Sequence, residues 1–319
     1  MTNQATHSPQ RLIYGCMGLG GSWDTSPYGA ADVEQAAAVI EAALAAGITL
    51  FDHADIYRMG KAEAVFGEVL AATPGLREKI QVQSKCGIRH GGNGLPGRYD
   101  FSRENILARV DHSLRSLRTD HLDTLLLHRP DPLMDVAEVA GAVRDLLADG
   151  KIRALGVSNM SGVQIAYLQD NLETPIVVNQ LEMSLAKRAW VESTVLVNRD
   201  DDGAAGFPHG TLEHAAANGI ELQAYGSLAQ GRYAGQNQPA PADAAATALV
   251  AELAAGYETS VEAVVLGWLM RHPARISPVI GTTNPARIAA CADAPRVAAA
   301  MSRTDWYGLW VAARGADLP

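Results

Sequence analysis

Along most of the chain, short runs of β-branched and aliphatic residues alternate with longer stretches whose apolar positions recur every three or four residues. Eight runs read as strands: "LIYGCMG" from Leu12, "ITLFDHA" from Ile48, "IQVQSKC" from Ile80, "LDTLLLH" from Leu122, "ALGVSN" from Ala154, "IVVNQLE" from Ile176, "IELQAYG" from Ile220 and "ISPVIGT" from Ile276. Between them lie helical patterns such as "DVEQAAAVIEAALAAG", closed by Gly47, and "SRENILARVDHSLRSL", opened by Ser102 as N-cap. Another begins at "TSVE", where Thr259 and Glu262 have capping-box spacing, and stops at Pro273. A strand followed by a helix eight times over predicts an α/β chain folded as a (β/α)8 TIM barrel, one domain over residues 1–319. A doubly wound sheet is the competing architecture, but the opening "GCMGLGGSW" lacks the G-x-G-x-x-G spacing, and no helical pattern follows it at once. Long polar segments at 87–100, 184–210 and 228–241 leave strand C-termini, the face where barrels place substrate-facing loops.

Composition narrows the class. The chain has 319 residues, 48% of them apolar, enough for a large core. The N-terminal "MTNQATHSPQ" has no basic flank leading into an apolar run, and no run of about eighteen apolar residues occurs, so neither secretion nor membrane association is expected. Cys16, Cys86 and Cys291 are too scattered for a disulfide framework or a zinc site, which fits the cytoplasm. A net charge of −9 argues against nucleic acid as a partner while leaving room for a local cationic pocket that holds an anionic cofactor.

Candidate chemistry collects at the strand ends, beginning with "LFDHADIY". If Asp52 points into the barrel, alternation turns Phe51 and His53 towards the helices and makes Lys85 and His128 inward residues of the next two strands. Tyr57 follows its strand closely enough for a turn to bring its hydroxyl over the barrel mouth. The same alternation points Gln83 inward, where barrels usually place apolar side chains. Unpaired, a buried Asp, Lys and His would cost several kcal/mol, so they form one network or do not face inward. A metal reading of "DHAD" is weaker: adjacent ligands point to opposite faces of a strand, and no other His or Cys cluster completes the site.

Taken in order, "YGCMGLGG", "FDHADIY" with "AEAVFGEVL", "VQSKCG", "DTLLLHRPDP", "GKIRALGVSN", "VVNQLEMS", "AYGSLAQGR" and "PVIGTTNPARI" resemble the aldo-keto reductases over nearly the whole chain. These are (β/α)8 barrels that reduce aldehydes and ketones with a nicotinamide cofactor. The closing "WYGLWVAARGADLP" resembles a bacterial oxidoreductase branch of that family. The resemblance implies a catalytic tetrad of Asp52, Tyr57, Lys85 and His128, with His53 and Asp55 outside it. A phenol with an ordinary pKa of about 10 is a sluggish acid. An ammonium ~4 Å away at an effective dielectric near 20 favours the phenolate by about 4 kcal/mol before burial takes some back. In this reading Lys85 acidifies Tyr57, Asp52 holds Lys85, and neutral His128 donates to the substrate carbonyl oxygen.

The resemblance also implies a cofactor site. Ser158, Asn159 and Gln180 match the partners of the nicotinamide carboxamide, and Tyr225 the aromatic under the ring. Met17, Gly18, Gly226, Ser227, Leu228, Gly231, Arg232, Gly281, Thr282 and Thr283 match further cofactor-binding positions. "GTTNPARI" puts Asn284 and Pro285 at the start of the last barrel helix, and Arg287 matches the residue that grips the ribose phosphate of NADP. Departures at Gly281, Ala290 and Cys291 leave NADH open beside NADPH. Trp23, Tyr28, Tyr99 and Trp190 are candidate aromatic walls for a small carbonyl substrate. Two other readings stand beside the reductase: a nicotinamide-binding sensor subunit of the same fold with little turnover, and a barrel aldolase with Lys85 as its Schiff-base amine.

Overall fold

The computed structural model describes residues 11–92, 94–198, 206–234 and 240–318. The reading of the first ten residues, and parts of the loops at 184–210 and 228–241, therefore lie outside the described residues.

Each of the eight apolar runs forms a parallel strand. They are β1 (Ile13–Gly15), β2 (Leu50–Asp52), β3 (Gln81–Cys86), β6 (Thr124–Leu127), β7 (Leu155–Ser158), β8 (Ile176–Glu182), β9 (Glu221–Tyr225) and β10 (Ser277–Ile280). Between β3 and β6, β4 (Ile88–Arg89) and β5 (Arg98–Tyr99) make a small antiparallel hairpin out of the segment expected to be a polar loop. The eight barrel strands close in the order β1-β10-β9-β8-β7-β6-β3-β2. The fold is thus the expected (β/α)8 barrel, with β1, β2, β7 and β10 buried throughout and the other strands buried along most of their length because they are covered on both faces.

Contacts divide the chain into two compact units, Ile13–Leu181 with Ile280–Ala289, and Met1–Leu12 with Glu182–Val279 and Ala290–Pro319. The first holds α1 (Ala30–Ala45), α2 (Lys61–Ala72), α3 (Arg103–Leu117), α4 (Val136–Ala148), α5 (Gly162–Gln169) and α10 (Pro285–Cys291) up to Ala289. The expected caps appear: Ser102 accepts from the Asn105 amide at the start of α3, and Gly47 follows α1 in the left-handed conformation (φ +75°). Gly67 lets α2 meet α3 closely, since a Cβ there would overlap the Ser116 carbonyl oxygen.

In the second unit, α8 (Ala244–Gly256) and α9 (Val261–Met270) precede β10. The cap of α9 is one residue later than the spacing predicts. Ser260 accepts from the Ala263 amide at 3.0 Å, while Thr259 donates to Asp293 at 2.6 Å, a long-range partner invisible to local pattern. Two further helices, α11 (Ala294–Ala300) and α12 (Arg303–Arg314), follow α10. Trp268 and Trp306 stack at 5.3 Å between ring centres and exchange indole-to-carbonyl hydrogen bonds, tying α12 to α9. Among the described residues no helix is long and apolar enough to cross a membrane.

Candidate active site

The parallel register of β2 on β3 sets Asp52 directly beside Gln83. The ladder runs on past β2: the His53 amide donates to Gln83 O at 2.8 Å and the Asp55 amide to Lys85 O at 3.0 Å. Alternation then puts Asp52, Gln83 and Lys85 on one face and His53 and Ser84 on the other. The Gln180 amide, on β8, donates to Asp52 Oδ1 at 3.1 Å. Since β8 and β2 are not neighbours in the sheet, that bond crosses the barrel interior, and the Asp52 face is the inner one.

Lys85 Nζ donates to both oxygens of Asp52 at 2.7 Å, to the His53 carbonyl at 2.9 Å and to Tyr57 Oη at 3.1 Å. Burial pulls the Lys85 ammonium down, but Asp52 and then Tyr57 outweigh it, so its pKa lies above the ordinary lysine value. A lysine held charged in this way is a poor nucleophile, which disfavours the Schiff-base reading. Tyr57 reaches the ammonium through a turn closed by its own amide on Ala54 O at 3.0 Å. Arg58, Met59 and Gly60 follow it at φ +51°, +60° and +90°, of which the two non-glycines carry strain of about 1–3 kcal/mol each. Arg58 is held there by donating to Met17 O at 3.0 Å and by lying over the Trp23 ring. Burial raises the Tyr57 phenol more than Lys85 lowers it, and the net direction is upward. The expected acidification is present but outweighed, because a phenolate here gives up more hydration than one ammonium, partly neutralised by Asp52, returns.

His128 follows β6, its amide donating to Cys86 O at 2.9 Å, and its ring stands edge-on to Tyr57 at 6.1 Å. Burial, then Lys85 and Arg129, push it well below the ordinary histidine range, so it is neutral, and its buried Nδ1 has no hydrogen-bond partner. Asn159, at φ +58°, donates to His128 O and to Ser158 Oγ, and Ser158 in turn donates to Gln180 O at 2.9 Å. The tetrad positions and the three candidate carboxamide partners therefore form one connected polar floor. Gln83 belongs to it as well, donating to Asp52 Oδ1 at 2.5 Å. Alternation marks Gln83 as inward; only the cross-strand register reveals its partner.

At the β1 and β10 ends, a Cβ on Gly18 would come to 3.0 Å of the Thr283 methyl, and Tyr14 donates to the Thr282 carbonyl at 3.0 Å. Asn284 caps α10 through the Ala286 amide at 2.9 Å, with Pro285 first in the helix and Arg287 exposed one turn in. Gly281 is exposed. Met17 is exposed, next to Gly18 in a short 3-10 turn.

In the second unit, Tyr225 ends β9 and Gly226 turns the chain at φ +65°. Ser227 donates to Val279 O at 2.8 Å, and the Gly231 amide to Leu228 O at 2.9 Å. Arg232 is paired with Asp243 at 2.7 Å. Of the expected aromatic walls, Trp23 and Tyr99 are 46% and 41% exposed, while Tyr28 donates to Glu68 on α2. Trp190 departs from expectation: it is 0% exposed and packs edge-on against Trp268 and His272, a core residue and not a wall. Its place followed from the docking of α6 (Ala189–Glu192), which no local signal announces.

The outer face of β2 and β3 holds a second polar group. His53 packs edge-on against Phe66 at 4.6 Å with neither ring nitrogen hydrogen-bonded, and burial drives its pKa down to about 3. Glu63 on α2 accepts from Ser84 Oγ at 2.6 Å and from Ser113; burial pushes it up to about 7, and its Oε2 has no partner. Asp55 is held by Arg109 at 2.6 Å, though burial still leaves its pKa raised. Among the described residues no group of three or more His, Cys, Asp or Glu could hold a metal ion.

The family model described as Aldo/keto reductase family matches residues 11–299. The 6-dehydroglucose reductase of Agrobacterium fabrum is 38% identical over 320 residues, covering 97% of this chain and 95% of that protein. The oxidoreductase YdhF of Escherichia coli is 37% identical, covering 89% of each. Among solved structures, an aldo-keto reductase from Klebsiella pneumoniae in complex with NADPH superposes with a TM-score of 0.70 at 24% identity, covering 93% of this chain and 89% of that one.

Proposed function

Because the chain belongs to the aldo/keto reductase family, whose members are nicotinamide-dependent oxidoreductases, we propose that it reduces an aldehyde or ketone to an alcohol with NADPH, Tyr57 supplying the proton. The observation that carries this reading is Lys85 Nζ bonded at once to Tyr57 Oη and to both oxygens of Asp52. When bound, the cofactor supplies the hydride. The chain does the rest. Tyr57 Oη gives its proton to the carbonyl oxygen, and Lys85 stabilises the phenolate left behind. Developing charge on that oxygen strengthens the pull on the phenol proton, which offsets the upward effect of burial. His128, neutral, donates a hydrogen bond that sets the carbonyl's angle.

The residues fit a nicotinamide cofactor. Ser158, Asn159 and Gln180 present polar groups at two adjoining strand ends, and Gly18 lets its turn lie close against Thr283, where a Cβ would come to 3.0 Å of the threonine methyl. Met17, Tyr225, Gly226, Ser227, Leu228 and Gly231 are assigned to the same cofactor from the family pattern, and Gly281, Thr282 and Thr283 to its phosphates. Arg232 matches that pattern too, but its pairing with Asp243 makes it a support of its loop before it is a ligand. Preference for NADPH rests on Arg287, exposed one turn inside α10. The Klebsiella neighbour's NADPH agrees with this choice. Arg287→Ala should weaken NADPH binding at least tenfold, about the loss of one charge-assisted contact, and leave NADH binding unchanged. An equal NADPH dissociation constant would remove the arginine from the site.

The Agrobacterium relative makes a dehydro-sugar the first substrate to try, with a nitrobenzaldehyde as the reactive control. NADPH oxidation should be measurable with at least one of them, and Tyr57→Phe should cost about a thousandfold or more in kcat while keeping cofactor affinity. Cofactor binding with no turnover on any carbonyl class would favour the sensor subunit instead.

A further inference from the structure

Gln83 is a buried amide in a layer where barrels place apolar side chains, and nothing in the proton-transfer scheme uses it. Its position is dictated by register: it lies opposite Asp52 on the neighbouring strand, one inward step below Lys85. Asp52 Oδ1 consequently accepts from three donors, Gln83 Nε2 at 2.5 Å, Lys85 Nζ at 2.7 Å and Gln180 Nε2 at 3.1 Å. Lys85 Nζ is shared between that carboxylate and the Tyr57 hydroxyl. We infer that Gln83 is a positioning residue, whose amide takes up part of the Asp52 charge and so sets how much of the Lys85 charge reaches the Tyr57 hydroxyl. The inference rests on the reading of Tyr57 as proton donor.

The physical balance is simple. A carboxylate bound only by the ammonium neutralises most of its field, and its own negative charge opposes the phenolate. Each amide dipole directed at Oδ1 stabilises the carboxylate without adding charge, which leaves the ammonium freer to act on its other side. The titratable groups facing the phenol are Lys85 from β3, Asp52 from β2, Cys16 after β1 and His128 after β6. Gln83 is bonded to Asp52 and lies one inward step below Lys85, so its removal should alter proton transfer and leave substrate contacts alone.

Gln83→Met keeps the shape and deletes the donor. The expected result is kcat about tenfold lower with KM unchanged, and a Tyr57 titration, read by NMR of ring-labelled tyrosine against a Tyr57→Phe reference, moved upward by about one pH unit. Gln83→Glu is the second variant, for use also if the first does not fold. It can donate to Asp52 only when protonated, so its kcat should approach the wild type at low pH and fall as pH rises, a limb that neither the wild type nor Gln83→Met shows. Unchanged kcat and an unmoved phenol titration would overturn the inference. So would a lower melting temperature with reduced kcat but the same titration and no new limb, since that is purely structural support. If the wild type reduces no carbonyl, or Tyr57→Phe keeps full activity, the reductase reading fails, while the phenol titration in Gln83→Met still decides whether the amide acts on it.

Discussion

The two faces of the β2–β3 strand pair treat their titratable residues differently. On the inner face Asp52 and Lys85 form an ion pair, each oxygen and the ammonium met by partners at hydrogen-bond distance. On the outer face, among the α2 and α3 side chains, burial holds His53 neutral and raises the Glu63 carboxyl to about 7, three of their polar atoms have no hydrogen-bond partner, and Asp55 is paired with Arg109. Both faces are fully buried, so depth alone does not decide ionisation. The number of donors and counter-charges supplied by the next strand does. The inner arrangement is suited to moving a proton; the outer one packs a helix pair onto the sheet, with burial raising the Glu63 and Asp55 carboxyls.

Breaking the ion pair tests the inner face most severely. Lys85→Met leaves the Asp52 carboxylate buried without its counter-charge, and denaturant unfolding should show a loss of about 3–5 kcal/mol, with turnover about a thousandfold lower or worse. A smaller loss is expected on the outer face. Glu63→Ala strands the Ser84 and Ser113 hydroxyls and opens a cavity, costing about 2–4 kcal/mol in the same assay, while kcat per folded molecule stays within about twofold. A collapse of kcat in this variant would mean the two faces are not separable.

The pH dependence of stability sharpens the contrast further. His53 is depressed from 6.5 to about 3, so between those values the unfolded chain binds the extra proton and stability rises with pH. Glu63 is raised from 4.5 to about 7, so over that interval the native state binds the extra proton and stability falls as pH rises. Where the windows overlap, from 4.5 to 6.5, the two slopes oppose each other. Glu63→Gln should therefore expose a stability that climbs with pH by about 1.4 kcal/mol per pH unit across the overlap, relative to the wild type. His53→Phe should tilt the curve the other way by a similar amount. Parallel curves for wild type and both variants would show that these groups ionise in the native state as they do in the unfolded chain.

Much of this could be read from the chain before any coordinates. Eight apolar runs marked the strands, and the period-two rule placed Asp52, Lys85 and Gln83 on one side and His53 on the other. Ser102, Gly47 and the Asn284-Pro285 pair announced helix ends through local chemistry. What escaped depends on partners distant in sequence. Thr259 loses the α9 cap to Ser260 because Asp293 takes its hydroxyl. The segment after β3 pairs Ile88 with Tyr99 where a polar loop was expected. Trp190 is covered by Trp268 and His272. The direction of the Tyr57 phenol's shift is set by a contest between burial and Lys85 that no sequence motif can weigh.

By itself the sequence determined which side chains share a face of each strand, since alternation is a property of the backbone and needs no neighbour. The tertiary structure decided what those side chains meet. Parallel register set Gln83 beside Asp52, and closure of the barrel carried Gln180 across to the same oxygen. Charge survives burial only where such partners converge, and convergence across strands is fixed by three-dimensional packing, which local pattern does not encode.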